Sequence, residues 1–372
     1  MSERATTRLR KLLARPGCVI APGAADGFMA RMLARIGFEA VYMTGFGTSL
    51  TRLGMSDVGL LTATEMVDNA NRVVDASGLP VLADIDTGYG NPINVRRTIR
   101  DFEKAGVAAV HMEDQVSPKR CGHLAGKRVI PTVEMAAKLK AACDARNDPD
   151  LIIVARTDAI AVEGLDAALE RGERYREAGA DMLFIEAPVG REQCEQVARH
   201  FKGVPLLYNM AASGKTPDIP AEELGRMGFK LEICALYGFL AAIPAIEHML
   251  AELKRTGTIG HLRGQMADFK EFTDIAGLPE IQQLEDRYGV PEDQRRKSSS
   301  SRTAMACPRT SVPRYDGNCG REYQGRCGRQ PEMLMSSCSR IAVRVFLAPG
   351  CCPAKFSRID CPGRRHQAGP VT

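Results

Sequence analysis

The chain has 372 residues, 44% of them apolar, and a formal net charge of +5. That is enough apolar material for a large core, and no apolar run is long enough to cross a bilayer. The positive charge is concentrated at one end: from Lys297 onward 13 Lys+Arg face 4 Asp+Glu, which leaves the preceding part at −4, so a nucleic-acid partner is not indicated.

The opening MSERATTRLRKLLARPG places Leu9, Leu12 and Leu13 on one helical face with Arg and Lys opposite. Glu3, and the lack of an apolar core after it, argue against a targeting segment and predict a short leading helix. Eight apolar runs ending in polar or small residues follow. They are CVIAPGAAD (18–26), EAVYMTGFG (39–47), LPVLADIDTG (79–88), VAAVHMED (107–114), LIIVARTD (151–158), MLFIEAP (182–188), PLLYNM (205–210) and KLEICALYG (230–238). Segments of helical period lie between and after them, over 27–36, 62–76, 92–105, 132–145, 165–178, 191–201, 221–227 and 239–255, several closed by Gly.

Strands alternating with helices predict parallel pairing through right-handed crossovers. Eight such units fit a closed (β/α)8 TIM-type barrel over residues 1–257, with an open doubly wound sheet as the rival. In a barrel the C-terminal strand ends carry the chemistry, and these read Thr44-Gly45, Asp84, Asp86, Glu113, Arg156, Glu186 and Asn209. Asp84 and Asp86, two apart, point the same way and with Glu113 form an all-oxygen acidic cluster suited to Mg²⁺, or Mn²⁺, rather than zinc. An acidic rim paired with Arg156 is the plain structural alternative. A divalent cation beside an Arg and backbone N–H donors suits a small carboxylic acid with an adjacent oxygen and the stabilisation of its enolate. Tyr42, two residues before Thr44, either acts on a substrate hydroxyl or packs in the core.

After Glu113 comes a loop holding Lys119, Arg120, Cys121, Gly122 and His123 in succession. A thiol between cations and an imidazole is placed for acid/base or nucleophilic work; an exposed basic turn is the bland reading. Five cysteines precede Lys297 without a C-x-x-C pair, as expected of a cytoplasmic protein with isolated thiols.

DIDTGYGN (84–91), EDQVSPKRCGHLAGK (113–127), ARTDA (155–159), EAP (186–188) and GKTP (214–217) together resemble the isocitrate lyase/phosphoenolpyruvate mutase superfamily, over about Arg8 to Asp293. The chain is most similar to its short-chain members, the methylisocitrate and dimethylmalate lyases and carboxyphosphonoenolpyruvate phosphonomutase. The resemblance implies Mg²⁺ held by Asp57, Asp84, Asp86 and Glu113, partly through water. It implies that Thr44, Gly45, Phe46, Asp84, Gly122, Arg156, Glu186 and Asn209 surround a pyruvate-like product, and that the KRCGH loop is a lid carrying Cys121 as general acid/base. The expected activity is carbon–carbon cleavage of a 2-hydroxy di- or tricarboxylate, of alkylmalate or 2-methylisocitrate type, to a 2-oxo acid. Phosphonomutase or oxaloacetate decarboxylase chemistry is the alternative, and a non-catalytic carboxylate-binding barrel the remote one.

Ala25, Tyr208 and Ala235 depart from the superfamily pattern and are expected to line the far end of the pocket. Residues 258–296 read as a helical arm, which the resemblance implies is swapped between subunits of a homodimer or homotetramer. Residues 297–372, rich in Arg, Pro, Ser and Cys without period, read as a disordered or out-of-frame appendage, or as a basic interaction tail.

Overall fold

The computed structural model describes residues 3–122, 124–211, 214 and 216–289. Eight strands close into a barrel in chain order: β1 (Val19–Ala24), β2 (Val41–Met43), β3 (Val81–Asp84), β4 (Ala109–Glu113), β5 (Ile152–Thr157), β6 (Met182–Ile185), β7 (Leu206–Asn209) and β8 (Phe229–Cys234). All neighbouring pairs are parallel, and β1 pairs with both β2 and β8. The open doubly wound sheet is thereby excluded. The expected arm, as far as residue 289, is helical; its last residues and the whole of 297–372 lie outside the described residues.

The helices are α1 (Ala5–Ala14), α2 (Gly27–Ile36), α3 (Gly45–Leu53), α4 (Ala63–Ser77), α5 (Pro92–Lys104), α6 (Thr132–Ala145), α7 (Ile160–Glu163), α8 (Leu165–Glu177), α9 (Gly190–His200), α10 (Ala221–Met227), α11 (Tyr237–Thr256), α12 (Phe269–Ile275) and α13 (Leu278–Tyr288). Local chemistry sets several starts. Thr62 and Glu65 form a reciprocal capping box at α4, and Asn91 caps α5 ahead of a Pro at its first position. The predicted second strand is too long. It stops at Met43 because the Thr44 hydroxyl accepts from the Gly47 N–H at 3.2 Å and begins α3 instead.

Strand alternation sorts the core into two layers. Tyr42, Leu82, Ala109, Ile152, Phe184 and Leu231 fill the barrel interior, while Val41, Met43, Val81, Ala83 and Val110 face the helices. Leu9 of α1 joins the interior cluster beside Ala40 and Ala108, which precede β2 and β4, and so closes the N-terminal end. Chemistry is left to the opposite end.

The adjacent acids at the end of β4 have separate tasks. Glu113 faces the barrel mouth. Asp114 turns outward and accepts from Thr157 Oγ1 (2.7 Å), Tyr175 Oη (2.8 Å), the Asp158 N–H (3.0 Å) and Arg171 Nη1 (3.2 Å). Arg171→Met leaves this buried carboxylate without its cation, and the expected cost is about 3 kcal/mol. Urea denaturation of the two proteins measures it.

Candidate active site

The C-terminal strand ends and the 114–130 loop enclose one cavity of about 200 Å³, lined in part by Tyr42, Thr44, Phe46, Asp57, Asp84, Lys119, Cys121, Gly122, Arg156, Glu186 and Asn209. Three other predicted members adjoin it. Gly45 packs on Asp84 so closely that a Cβ there would lie 2.4 Å from Oδ2, so the carboxylate occupies room only a glycine leaves. Asp86 and Glu113 join through Lys119 and Arg156, as described below. Arg120 is not brought in: its side chain is exposed and donates to the Ala125 carbonyl, while its backbone is clasped by the Gln115 amide at 2.8 and 3.0 Å. His123 lies outside the described residues.

The acidic side is built from β3 and β4. Asp84 Oδ1 accepts the Asp86 N–H at 2.9 Å, and Oδ2 faces the Tyr42 hydroxyl at 3.3 Å. The strand ends there; Asp86 reaches the cluster through a left-handed backbone (φ 48°) rather than the strand alternation the sequence suggested, a conformation Asp tolerates better than most residues. Burial, together with the charges of Asp84 and Asp57, pushes Asp86 up to about 6 against the pull of Lys119. Burial works against ionisation of Asp84 too, but His111, Lys119, Arg156 and the Asp86 N–H overcome it and hold the carboxyl at about 2.

Glu113 sits in register with Arg156, whose Nε approaches Oε2 at 3.3 Å. It is 1% exposed, and neither of its oxygens has a hydrogen-bond partner among the described residues. A buried carboxylate so placed calls for a cation or ordered water, and burial raises its pKa. With three aspartates close by, the donor set is hard oxygen and fits Mg²⁺. Among the described residues, however, no three His, Cys, Asp or Glu side chains are gathered as a finished ligand set. Lys119 stands among them, its Nζ 2.6 Å from Asp57 Oδ2 and 2.7 Å from Asp86 Oδ1.

The opposite wall is cationic and amide. Arg156 makes a two-point contact with Asp158 (3.0 and 3.2 Å), lies over the Phe184 ring, and directs Nη2 toward Glu186 Oε1 at 3.8 Å. Asn209 Nδ2 donates to both Glu186 oxygens, at 3.2 and 3.3 Å. The loop closes over these groups. The Cys121 N–H donates to the Asp57 carbonyl at 3.1 Å, and Lys127 Nζ bridges the Gly122 carbonyl and Asp158. A Cβ on Gly122 would come within 2.3 Å of Glu186 Oε1 and 2.5 Å of Arg156 Nη2. Gly122→Ala is therefore expected to displace the loop from Glu186 and Arg156, cutting turnover about a hundredfold with unchanged stability. Steady-state kinetics and a thermal melt test this together.

Several groups escaped the sequence reading. His111 is fully buried with Nε2 3.0 Å from the Tyr42 hydroxyl, and burial brings it down to about 4, so it is neutral. Its signal was its place two residues before Glu113, on the same strand face. Lys127 and Asp158 stood inside quoted motifs without a role, and Leu124, Met210, Ala211 and Leu236 had no signal beyond being apolar. Of the three departures from the superfamily pattern, Ala235 lines the cavity. Ala25 and Tyr208 are not among its lining residues. Tyr208 precedes the inward-facing Asn209 and so points to the helix layer, where its hydroxyl donates to the Pro217 carbonyl at 2.5 Å.

The family model for phosphoenolpyruvate phosphomutase matches residues 9–254. The chain belongs to this family. As a family member it is 46% identical over 283 residues to 2,3-dimethylmalate lyase of Eubacterium barkeri, covering 76% of this chain and 98% of the relative. It is 43% identical over 283 residues to 2-methylisocitrate lyase of Bacillus subtilis (strain 168), covering 76% and 93%. A crystal structure of 2,3-dimethylmalate lyase, described as a PEP mutase/isocitrate lyase superfamily member, matches with a TM-score of 0.74 at 38% identity, covering 78% of this chain and 97% of that one. Phosphonopyruvate hydrolase in complex with oxalate and Mg²⁺ matches with a TM-score of 0.70 at 26% identity, covering 77% and 99%. The superfamily resemblance drawn from the motifs holds: the protein is an enzyme of the PEP mutase/isocitrate lyase superfamily, and lyases stand among its relatives.

Proposed function

We propose that this family member is a Mg²⁺-dependent carbon–carbon lyase that cleaves a small 2-hydroxy di- or tricarboxylate, of alkylmalate or 2-methylisocitrate type, to pyruvate or another 2-oxo acid. The observation that carries this reading is the sharing of one cavity by Asp57 and Asp84, Arg156 and the Cys121 thiol. Its volume is below the roughly 300 Å³ at which larger ligand pockets begin, as suits a small acid. The two lyase relatives point the same way, and the Mg²⁺ in the phosphonopyruvate hydrolase complex supports the metal.

Bound Mg²⁺ would supply Lewis-acid stabilisation of the developing enolate, held by Asp57, Asp84, Asp86 and Glu113 in part through water. Arg156 and Asn209 bind and orient the oxo-acid half. Burial, followed by the charge of Asp84, raises the Tyr42 phenol well above its usual range. Tyr42 therefore donates to a substrate oxygen, and the base for the hydroxyl proton belongs to the carboxylate side. As the C–O bond becomes a carbonyl, the C–C bond breaks and its electron pair passes to the departing carbon. Cys121 delivers a proton there. Leu124, Met210, Ala211, Ala235 and Leu236 give the described outer wall an apolar lining suited to an alkyl-bearing substrate.

The test is a coupled assay of 2-oxo acid release over a panel of such acids, with and without EDTA. Release from at least one acid, abolished by EDTA and restored by Mg²⁺, is expected; no Mg²⁺-dependent release from any would sink the reading. Phosphorus NMR on a phosphonate substrate separates the mutase alternative, whose transferring group is poorly matched by the apolar outer wall.

A homo-oligomer built through the 258–296 arm follows from the same reading. In support, α11, α12 and α13 contain no buried residue, and Ile243, Ile246, Leu250, Phe269, Phe272, Ile281 and Leu284 are exposed. Phe269→Glu combined with Phe272→Glu, both exposed on α12 within the arm, is expected to shift the protein to monomer in size-exclusion chromatography with light scattering. Among the described residues no helix is long and apolar enough to cross a membrane. The isolated thiols of the barrel support a cytoplasmic setting.

A further inference from the structure

The turn that delivers Asp86 to the acid cluster is gripped from outside the site. Residues 85–88 close on themselves through the Gly88 N–H and the Ile85 carbonyl at 2.9 Å, with Asp86 second in the turn at φ 48°. Turns with a positive φ at that place ordinarily take glycine, and a side chain persists there only where the surroundings fix it. Two of the fixing bonds come from the site itself: the Asp86 N–H donates to Asp84 Oδ1, and the Asp86 carbonyl accepts from the Glu113 N–H, both at 2.9 Å. A third comes from α6, where Lys138 Nζ donates to the Thr87 carbonyl at 3.1 Å. The Thr87–Gly88 peptide unit is therefore held at both ends. Lys138 is costly where it stands. It is 4% exposed, and among the described residues this carbonyl is its one hydrogen-bond acceptor and no carboxylate pairs with it. Burying an ammonium against a single carbonyl works against stability, and a methionine would fill the same space without that cost.

We propose that Lys138 is a positioning residue for the metal site: by holding the Thr87 carbonyl from α6 it keeps Asp86 in the left-handed conformation that turns its carboxylate into the acid cluster. This rests on the metal-site reading above. Lys138 touches neither the cavity nor any of the four carboxylates proposed for the metal, so it acts only through the turn. Without its bond the turn relaxes toward the negative φ that Asp prefers, and the carboxylate swings away from Asp84 and Lys119. Mg²⁺ demands short oxygen contacts in near-octahedral array, so a carboxylate aimed elsewhere is lost to it.

Mg²⁺ titration by calorimetry and thermal melts in EDTA, both on the full chain, test this with Lys138→Met and Lys138→Arg. Lys138→Met is expected to bind Mg²⁺ about tenfold more weakly than the wild type, as losses around metal ligands do, while its melt in EDTA is no lower. Lys138→Arg keeps a cationic donor and is expected to regain most of the affinity. A residue that serves the fold alone gives the reverse, a lower melt with Mg²⁺ affinity within twofold of the wild type. That result overturns the proposal, as does a Lys138→Met protein that fails to fold. A fall in both quantities that Lys138→Arg does not reverse overturns it as well. Absence of Mg²⁺ binding to the wild type brings down the metal reading itself, which separates the two failures.

Discussion

Cys121→Ala is expected to lower kcat for 2-oxo acid release by about a thousandfold, within the range for loss of a positioned general acid. Mg²⁺ affinity should stay within twofold, because the thiol is not among the oxygen donors proposed for the metal. The backbone of residue 121 keeps its bond to the Asp57 carbonyl in the variant, so the lid still closes and the loss reports the proton alone. Cys121→Ser should recover little, since a serine hydroxyl is a much weaker acid than a thiol. Isotope exchange into the departing product sharpens the test: with Cys121 removed, C–C cleavage and protonation come apart. A variant with near wild-type kcat would move the acid role elsewhere in the cavity.

Asp84→Asn is expected to be as damaging through a different quantity. Asp84 is the carboxylate that stays ionised at about 2, with burial opposed by His111, Lys119, Arg156 and the Asp86 N–H. Its oxygens face the Tyr42 hydroxyl and the Asp86 N–H, both donors, so an amide of the same shape turns an NH₂ group against one of them. Calorimetry should show Mg²⁺ affinity down by about a hundredfold, and kcat/KM should fall by about a thousandfold even at high Mg²⁺. The sign of the pH effect is that of a depressed carboxyl: the stability Asp84 contributes is present above the usual carboxylate range and is lost as pH falls through about 2. Full activity of Asp84→Asn in EDTA would remove the metal from the reaction.

Much of this site was legible because barrel geometry converts sequence position into place. Thr44, Asp84, Glu113, Arg156, Glu186 and Asn209 end their apolar runs, and a parallel barrel gathers such ends at one mouth. What stayed hidden depended on turns and partners. Thr44 as a helix cap could not be told from a strand residue while the run continued through Gly47. Asp86 kept its place in the cluster by a positive φ, which alternation does not describe. Tyr208 was expected at the far end of the pocket as a departure from the superfamily pattern, though alternation sends it to the side opposite its neighbour Asn209. Arg120 and Lys119 look equivalent as letters; the Gln115 clasp turns one to solvent, and the acids draw the other inward. No pattern in the chain marked Lys119 as the partner of Asp57, since the pair lies far apart in sequence and meets only when the loop folds over.

The consecutive acids at the end of β4 have a consequence for how this protein tolerates change. Among the described residues Glu113 has no hydrogen-bond partner for either oxygen, while Asp114 accepts four. In a saturation library, position 113 would be constrained when clones are selected for turnover and lax, or even improved, when they are selected for soluble yield. Position 114 would be constrained under both. One peptide unit thus separates a residue whose retention costs the fold something from one the fold requires, and the two selection maps should diverge most sharply between them.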